Sequence, residues 1–211
     1  MNARHTWTVG PWAAGLAGYL LDLLRFANGA PANLHSLMKY RVIRTLAKRV
    51  GADCLIETGT FRGVMTARCA RVFATVLTVE LDAKLAAQAK ASLARYRNVT
   101  VYQGDAVALL PQMLAHPGAG RCVIFLDAHY SGGDTARGEI PEPAIAELDI
   151  LAQRRDRIGG IVIDDFRCFG VEEGFPTKAQ LLAAVEAHFP HPIFTIQALP
   201  DQLIVERAAA A

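Results

Sequence analysis

From residue 53 onward, short apolar runs alternate with segments whose apolar residues recur every three or four positions. The runs are CLIET (54–58), VLTVE (76–80), VTVYQ (99–103), CVIFLD (122–127) and GIVIDD (160–165). Short, nearly continuous apolar runs fit strands covered on both faces. Between them lie VMTARCARVFA, AKLAAQAKASLARY, AVALLPQML and PAIAELDILAQRR, which are rich in helix formers at helical spacing. This alternation predicts a parallel sheet with helices on both faces, and right-handed crossovers make it doubly wound. The end of the chain breaks the rhythm. PIFTIQ (192–197) and QLIVER (202–207) are separated only by ALPD. That gap is too short for a parallel crossover, so the two runs predict an antiparallel hairpin. The expected fold class is α/β: a doubly wound, mostly parallel seven-stranded sheet with a C-terminal antiparallel hairpin. Residues 12–27 and 34–50 are predicted helices, with Pro31 at the break between them. Residues 1–50 are thus expected to form N-terminal helices, as a cap or dimer contact, and 51–211 the main domain.

The strand pattern also places acids. Glu57 lies near the end of the first strand and Glu80 ends the second. Asp105 follows the third, Asp127 ends the fourth, and Asp164 and Asp165 end the fifth. Open α/β sheets bind ligands outside the carboxyl ends of their strands. Repeated delivery of carboxylates to that edge points to a functional cleft. The first strand leads into ETGTFRG (57–63), where Gly59 and Gly63 permit a tight turn and close approach of a ligand. The dinucleotide pattern G-x-G-x-x-G is absent, which argues against a nicotinamide cofactor. Glu80 lies 23 positions after Glu57 (80 − 57). An acid there suits a ribose diol, because its two oxygens accept two hydroxyl hydrogens; a helix-capping or solvated acid is the alternative. Asp105 can accept an exocyclic amine hydrogen of a base, or cap the helix that begins at Ala106.

Composition narrows the class. The chain of 211 residues fits one domain with one sizeable core. A net charge of +2, with basic residues scattered, gives no footprint of a nucleic-acid binder. Cys54, Cys69, Cys122 and Cys168 are far apart and form no C-x-x-C, so reduced thiols in a cytoplasmic protein are expected. PWAAGLAGYLLDLLRFA (11–27) is apolar, but Asp22 and Arg25 interrupt it before membrane-spanning length. No basic region followed by a cleavage site marks a signal peptide. A helix packed on the domain or on a second subunit is the expectation over attachment to a membrane surface, the second subunit implying a homodimer.

LIETGTFRG, TVELD, QGDA and the terminal hairpin together resemble a class I S-adenosylmethionine-dependent methyltransferase, over roughly residues 50 to 207. The form E-T-G-T-F-R-G is similar to the glycine motif of metal-dependent small-molecule O-methyltransferases of the catechol and macrocin (sugar) types. The resemblance implies a Rossmann-like methyltransferase fold with S-adenosylmethionine as cofactor. It implies that Glu57, Gly59, Thr60 and Gly63 serve the methionine part and its turn. Glu80 would hold the ribose, and Asp105 with Ala106 would lie at the adenine.

Three acids remain. Consecutive aspartates cannot point the same way on a regular strand. Like charges gathered at one edge need a cation or a proton, and carboxylates are ligands that magnesium prefers. The alternative is that Asp165 caps the next segment and Asp164 binds backbone amides. The macrocin-type resemblance implies Mg2+ on Asp127, Asp164 and Asp165. An acceptor hydroxyl must lose its proton, and His129, two residues past Asp127, has a ring suited to a base near neutral pH; a loop histidine bonded to a neighbour is the alternative. Some macrocin-type enzymes place an acid at that position. Tyr130 and Ser131 are candidates for the acceptor pocket, and Gly132 and Gly133 for a lid hinge. Arg137 and Arg167 are candidates for anionic groups on the acceptor. His35 and Lys39 share one helix face, for which a solvated face is expected over contact with the cofactor or acceptor. The expected activity is O-methylation of a small hydroxylated acceptor, such as a sugar or secondary metabolite. Metal-independent N- or O-methylation, or a non-catalytic cofactor-binding module, stay open.

Overall fold

The computed structural model describes residues 36–127 and 142–209 and, before them, helical positions 16, 17, 20, 21, 23 and 24. His129, Tyr130, Ser131, Gly132, Gly133, Arg137, His35, Pro31, Asp22 and Arg25 lie outside the described residues.

The strands are β1 (Cys54–Thr58), β2 (Thr75–Glu80), β3 (Val99–Gln103), β4 (Cys122–Leu126), β5 (Ile158–Ile163), β6 (Phe194–Ala198) and β7 (Leu203–Arg207). They form one sheet in the order β3-β2-β1-β4-β5-β7-β6. The pairs among β1 to β5 are parallel, and β7 is antiparallel to both β5 and β6. This is the expected architecture. The order reverses between β1 and β4, the switch point at which open α/β sheets bind ligands.

The described helices are α1 (Ser36–Val50), α2 (Val64–Cys69), α3 (Ala83–Leu93), α4 (Ala106–Leu114), α5 (Ala144–Ala152) and α6 (Lys178–His188). Helix α2 is shorter than its sequence pattern, because Asn98 Nδ2 donates to the carbonyls of Ala70 and Phe73 at 2.8 Å each and holds a turn there. Helix α6 buries Leu181 and Val185, one turn apart. What starts it is a capping box, in which Thr177 and Gln180 satisfy each other's backbone amides.

Two apolar layers cover the sheet. On one face, Ile56, Val79, Ile124, Leu126 and Ile163 pack with α4, α5 and α6. On the other, Leu55, Phe125 and Val162 pack with Ile43, Leu46, Ala47 and Val50 of α1. Helix α1 lies close to the sheet because β5 offers no side chain there. A Cβ on Gly160 would stand 2.7 Å from Leu46 Cδ2, and one on Gly159 2.8 Å from Val50 Cγ2. The same end of α1 is tied down by Arg49, whose Nε and Nη2 reach Glu206 at 2.9 and 2.6 Å.

The four cysteines are buried and free. Leu16, Leu20, Leu21, Leu23 and Leu24 are 43–61% exposed, so these side chains are not covered by the domain. Among the described residues no helix is long and apolar enough to cross a membrane.

Candidate active site

The loop from β1 to α2 is shaped by backbone as much as by side chains. Gly59 and Gly63 have φ of 98° and 71°, and Phe61 also takes a left-handed φ of 48°. The amides of Gly59 and Thr60 both reach the carbonyl of Val79 at 3.0 Å, which folds the loop over the end of β2. Glu80 completes the turn: its Oε2 accepts from Phe61 N at 2.7 Å and its Oε1 from Asp82 N at 3.0 Å. A carboxylate has about four acceptor positions, so each oxygen keeps capacity for a ligand hydroxyl. Glu80 is thus both a strut of the loop and an acceptor at the sheet edge.

Glu57 is buried, and its Oε2 accepts from Thr66 Oγ1 at 2.6 Å and Thr78 Oγ1 at 2.8 Å. The Thr78 hydroxyl in turn meets Thr60 Oγ1 at 2.6 Å. Burial pushes the Glu57 carboxyl up to about 7, against the pull of the two threonine hydroxyls. Its visible work is to lock β1, β2 and α2 together beneath the loop. Asp105 accepts from Ala108 N at 3.0 Å and so caps α4 at Ala106. The cap occupies Oδ1 and leaves the residue at the end of β3, beside the turn in which Gly104 N reaches Glu80 O at 2.9 Å.

The second half of the edge is built differently. Backbone bonds from Asp127 N to Thr58 O and from Asp164 N to Leu126 O, both 3.0 Å, carry the β1–β4–β5 ladder one step past the strands. Alternation along the strands then places Asp127 with Phe125 and Asp164 with Val162, on the α1 face. Asp165 would fall on the other face, but its φ of 49° breaks the alternation. One ligand oxygen from each of Asp127, Asp164 and Asp165 consequently lies within 4.8 Å of the others. That local strain is the physical answer to how an Asp-Asp pair can serve one site.

Cations meet these acids. Lys39 Nζ forms an ion pair with Asp164 Oδ2. It lies one turn before Ile43, on the buried stripe of α1 rather than on the expected solvated face. Burial works against its ammonium, but Asp127, Asp164 and Asp165 together outweigh that and raise its pKa. Burial and the charge of Asp127 push Asp164 up to about 8, opposed by Lys39. Gln202 Nε2 donates to Asp164 Oδ1 at 3.2 Å, while Gln202 Oε1 is buried without a partner among the described residues. Arg167 Nη1 pairs with both Asp165 and Asp201. Two further side chains are therefore engaged here, Asp201 from the predicted hairpin turn and Gln202 from the head of the predicted last strand. A signal for them existed: β7 runs antiparallel, with Leu203 opposite Ile163, so its start lies at the carboxyl edge of β5.

Beneath the junction of the two halves lies Glu147 of α5, a residue with no predicted role. It is buried, and Oε1 has no partner among the described residues. Burial and the neighbouring Glu142 push its carboxyl up to about 8, and a hydrogen bond with Thr58 opposes them. A shallow cavity of about 370 Å³ lined by Arg121, Pro192, Ile193 and Arg207 opens at the other edge of the sheet, away from all of these groups.

No family model matches the sequence, and no curated protein matches it. Solved structures do resemble the fold. An O-methyltransferase from Bacillus cereus in complex with S-adenosylhomocysteine (SAH) is 21% identical, with 93% of this chain and 91% of that chain covered and a TM-score of 0.62. The O-methyltransferase TomG from Streptomyces achromogenes, involved in tomaymycin synthesis and bound to S-adenosylmethionine (SAM), is 19% identical, with 92% and 90% covered and a TM-score of 0.59. The N-terminal domain of EvdMO1, in the presence of SAH and D-fucose, is 17% identical, with 81% and 82% covered and a TM-score of 0.52. At such identities the likeness establishes the fold: a Rossmann-like methyltransferase sheet.

Proposed function

We propose that this chain transfers the methyl group of S-adenosylmethionine to a hydroxyl of a small acceptor, such as a sugar or secondary metabolite, with Mg2+ held by Asp127, Asp164 and Asp165. The observation that carries the reading is the convergence of these three carboxylates within 4.8 Å of one another, at the same sheet edge as the Glu80 loop. The donor set fits the ion: three hard carboxylate oxygens close together, one of them already paired with a lysine ammonium. When bound, the metal supplies Lewis-acid chemistry, which lowers the pKa of a hydroxyl.

The rest is the work of this chain. Glu80 holds the ribose, the loop through Gly59, Thr60 and Gly63 receives the methionine part, and Glu57 keeps that loop rigid from below. Asp105 and Ala106 border the adenine. Acceptor oxygen, methyl carbon and sulfur are held in line. The oxygen forms its bond to carbon as the carbon–sulfur bond breaks, sulfur keeps the electron pair, and the hydroxyl proton passes to His129. Tyr130, Ser131 and Arg137 are the proposed acceptor-binding residues. Arg167 first holds Asp165 and Asp201 and presents its remaining donors to an anionic group. The TomG and EvdMO1 likenesses support an acceptor from secondary metabolism or a sugar. The uncovered leucines between 16 and 24 support a homodimer.

A second reading has an observation behind it. Lys39 already supplies a cation to the cluster, which favours metal-independent transfer. Incubation with methyl-labelled S-adenosylmethionine and a panel of hydroxylated sugars and glycosides separates the two. Label in a methyl ether, lost with EDTA and restored by Mg2+, is the expected result. Transfer indifferent to EDTA supports the second reading. Cofactor binding with no transfer to any acceptor supports a non-catalytic module.

A further inference from the structure

Lys39 lies within the group proposed to hold the metal. Its Nζ takes Asp164 Oδ2, while the other oxygen of Asp164 is taken by Gln202. Each oxygen of the central carboxylate thus already has one partner inside the protein. A divalent ion on Asp164 and an ammonium on the same oxygen would repel each other across a few ångströms of buried space. One partner must yield, and the two differ in how readily they can. Gln202 is fully buried at the start of β7. Lys39 carries its charge on a flexible four-carbon stem with its side chain 14% exposed. The helix beneath it has no need to move, because Leu46 against Gly160 and Arg49 against Glu206 anchor α1 on the sheet.

We infer that the Lys39 ammonium and a divalent cation are alternative occupants of the Asp127–Asp164–Asp165 cluster, so that metal entry displaces Lys39 from Asp164. The inference rests on the metal-dependent reading above. In the metal-free protein Lys39 keeps three converging carboxylates together; on metal entry it swings out on its stem. Lys39 is therefore a positioning residue that sets the affinity for metal, and it is brought to the site from 125 positions away in sequence.

The test uses Mn2+ alone, with the free ion followed by electron paramagnetic resonance. Wild type is compared with Lys39→Met, which keeps the length and loses the charge. The variant is expected to bind Mn2+ about tenfold or more tightly, since a competing charge has gone. Equal or weaker binding by the variant overturns the inference and leaves the metal reading standing. No binding of Mn2+ by either protein overturns both. Removing the ammonium leaves buried Asp164 without its cation and can cost the fold, so a second measurement uses wild type only. Amine acetylation of Lys39, read by mass spectrometry, is expected to rise several-fold when Mn2+ is added, with Lys48 and Lys90 unchanged. Labelling of Lys39 that stays constant or falls overturns the inference.

Discussion

The two halves of the sheet edge hold their acids in opposite ways. At β1 and β2, Glu57 and Glu80 accept hydrogen bonds from neutral donors: two threonine hydroxyls and two backbone amides. At β4 and β5, the carboxylates are crowded together and met by charged side chains, Lys39 and Arg167. Neutral donors from adjacent strands and loops are part of the fold, so the first half is shaped before any ligand arrives. The Lys39 contact comes from a distant segment and can be exchanged for another cation. One half is a cradle and the other is a socket, and a reaction that needs a fixed cofactor and an exchangeable ion uses both.

The contrast can be broken most forcefully at the socket. Asp164→Ala removes the carboxylate that both Lys39 and Gln202 grip, and turnover at saturating cofactor is expected to fall about a hundredfold or more, as for loss of a major electrostatic group. Cofactor affinity, measured in parallel by calorimetry, should change little. A matching loss of cofactor affinity would show that the two halves are not separate devices.

The cradle answers to a smaller change. Glu80→Ala removes two amide contacts and the ribose acceptor, and is expected to weaken S-adenosylmethionine binding by about ten- to a hundredfold, given the usual worth of hydrogen bonds to charged groups. Metal affinity in the absence of cofactor should stay as in wild type. Unchanged cofactor binding removes Glu80 from the ribose.

The smallest effect belongs to Glu147, under the junction. Its folded carboxyl is pushed up to about 8 by burial, then by Glu142. An acid whose pKa is raised on folding contributes stability at low pH, and this is lost as pH rises through the folded value. Chemical denaturation at a series of pH values should therefore show Glu147→Gln gaining on wild type by about 1–3 kcal/mol between pH 5 and pH 9. A difference that stays constant with pH would mean that Glu147 is ionised in the fold at every pH tested.

Much of this was legible in the sequence because it depends on local periodicity. The strands, their order of chemistry and the terminal hairpin follow from run lengths, and the acids follow from where the runs stop. Helix α6 carries two signals in the sequence, the Thr177–Gln180 cap and the buried pair Leu181 and Val185 one turn apart, which the strand-and-helix alternation of residues 53–165 does not reach. Lys39 was read as solvated although it shares a stripe with Ile43, Leu46 and Val50; a lysine at a core position is a signal only once the strand ends above it are known to be acidic. Asp201, in the predicted turn, and Gln202, at the head of the predicted strand, reach the site through a topological step, the antiparallel direction of β7. The break in alternation at Asp165 is a property of one backbone angle, and the strand pattern alone argues against it.

The proposed metal dependence resides in the socket. Calorimetric titration of Mg2+ into the SAH-loaded wild-type protein tests it directly. Saturable binding of one ion per chain, abolished in Asp164→Ala while that variant still binds SAH, is the predicted result. No heat of Mg2+ binding by folded, SAH-loaded wild type would contradict it.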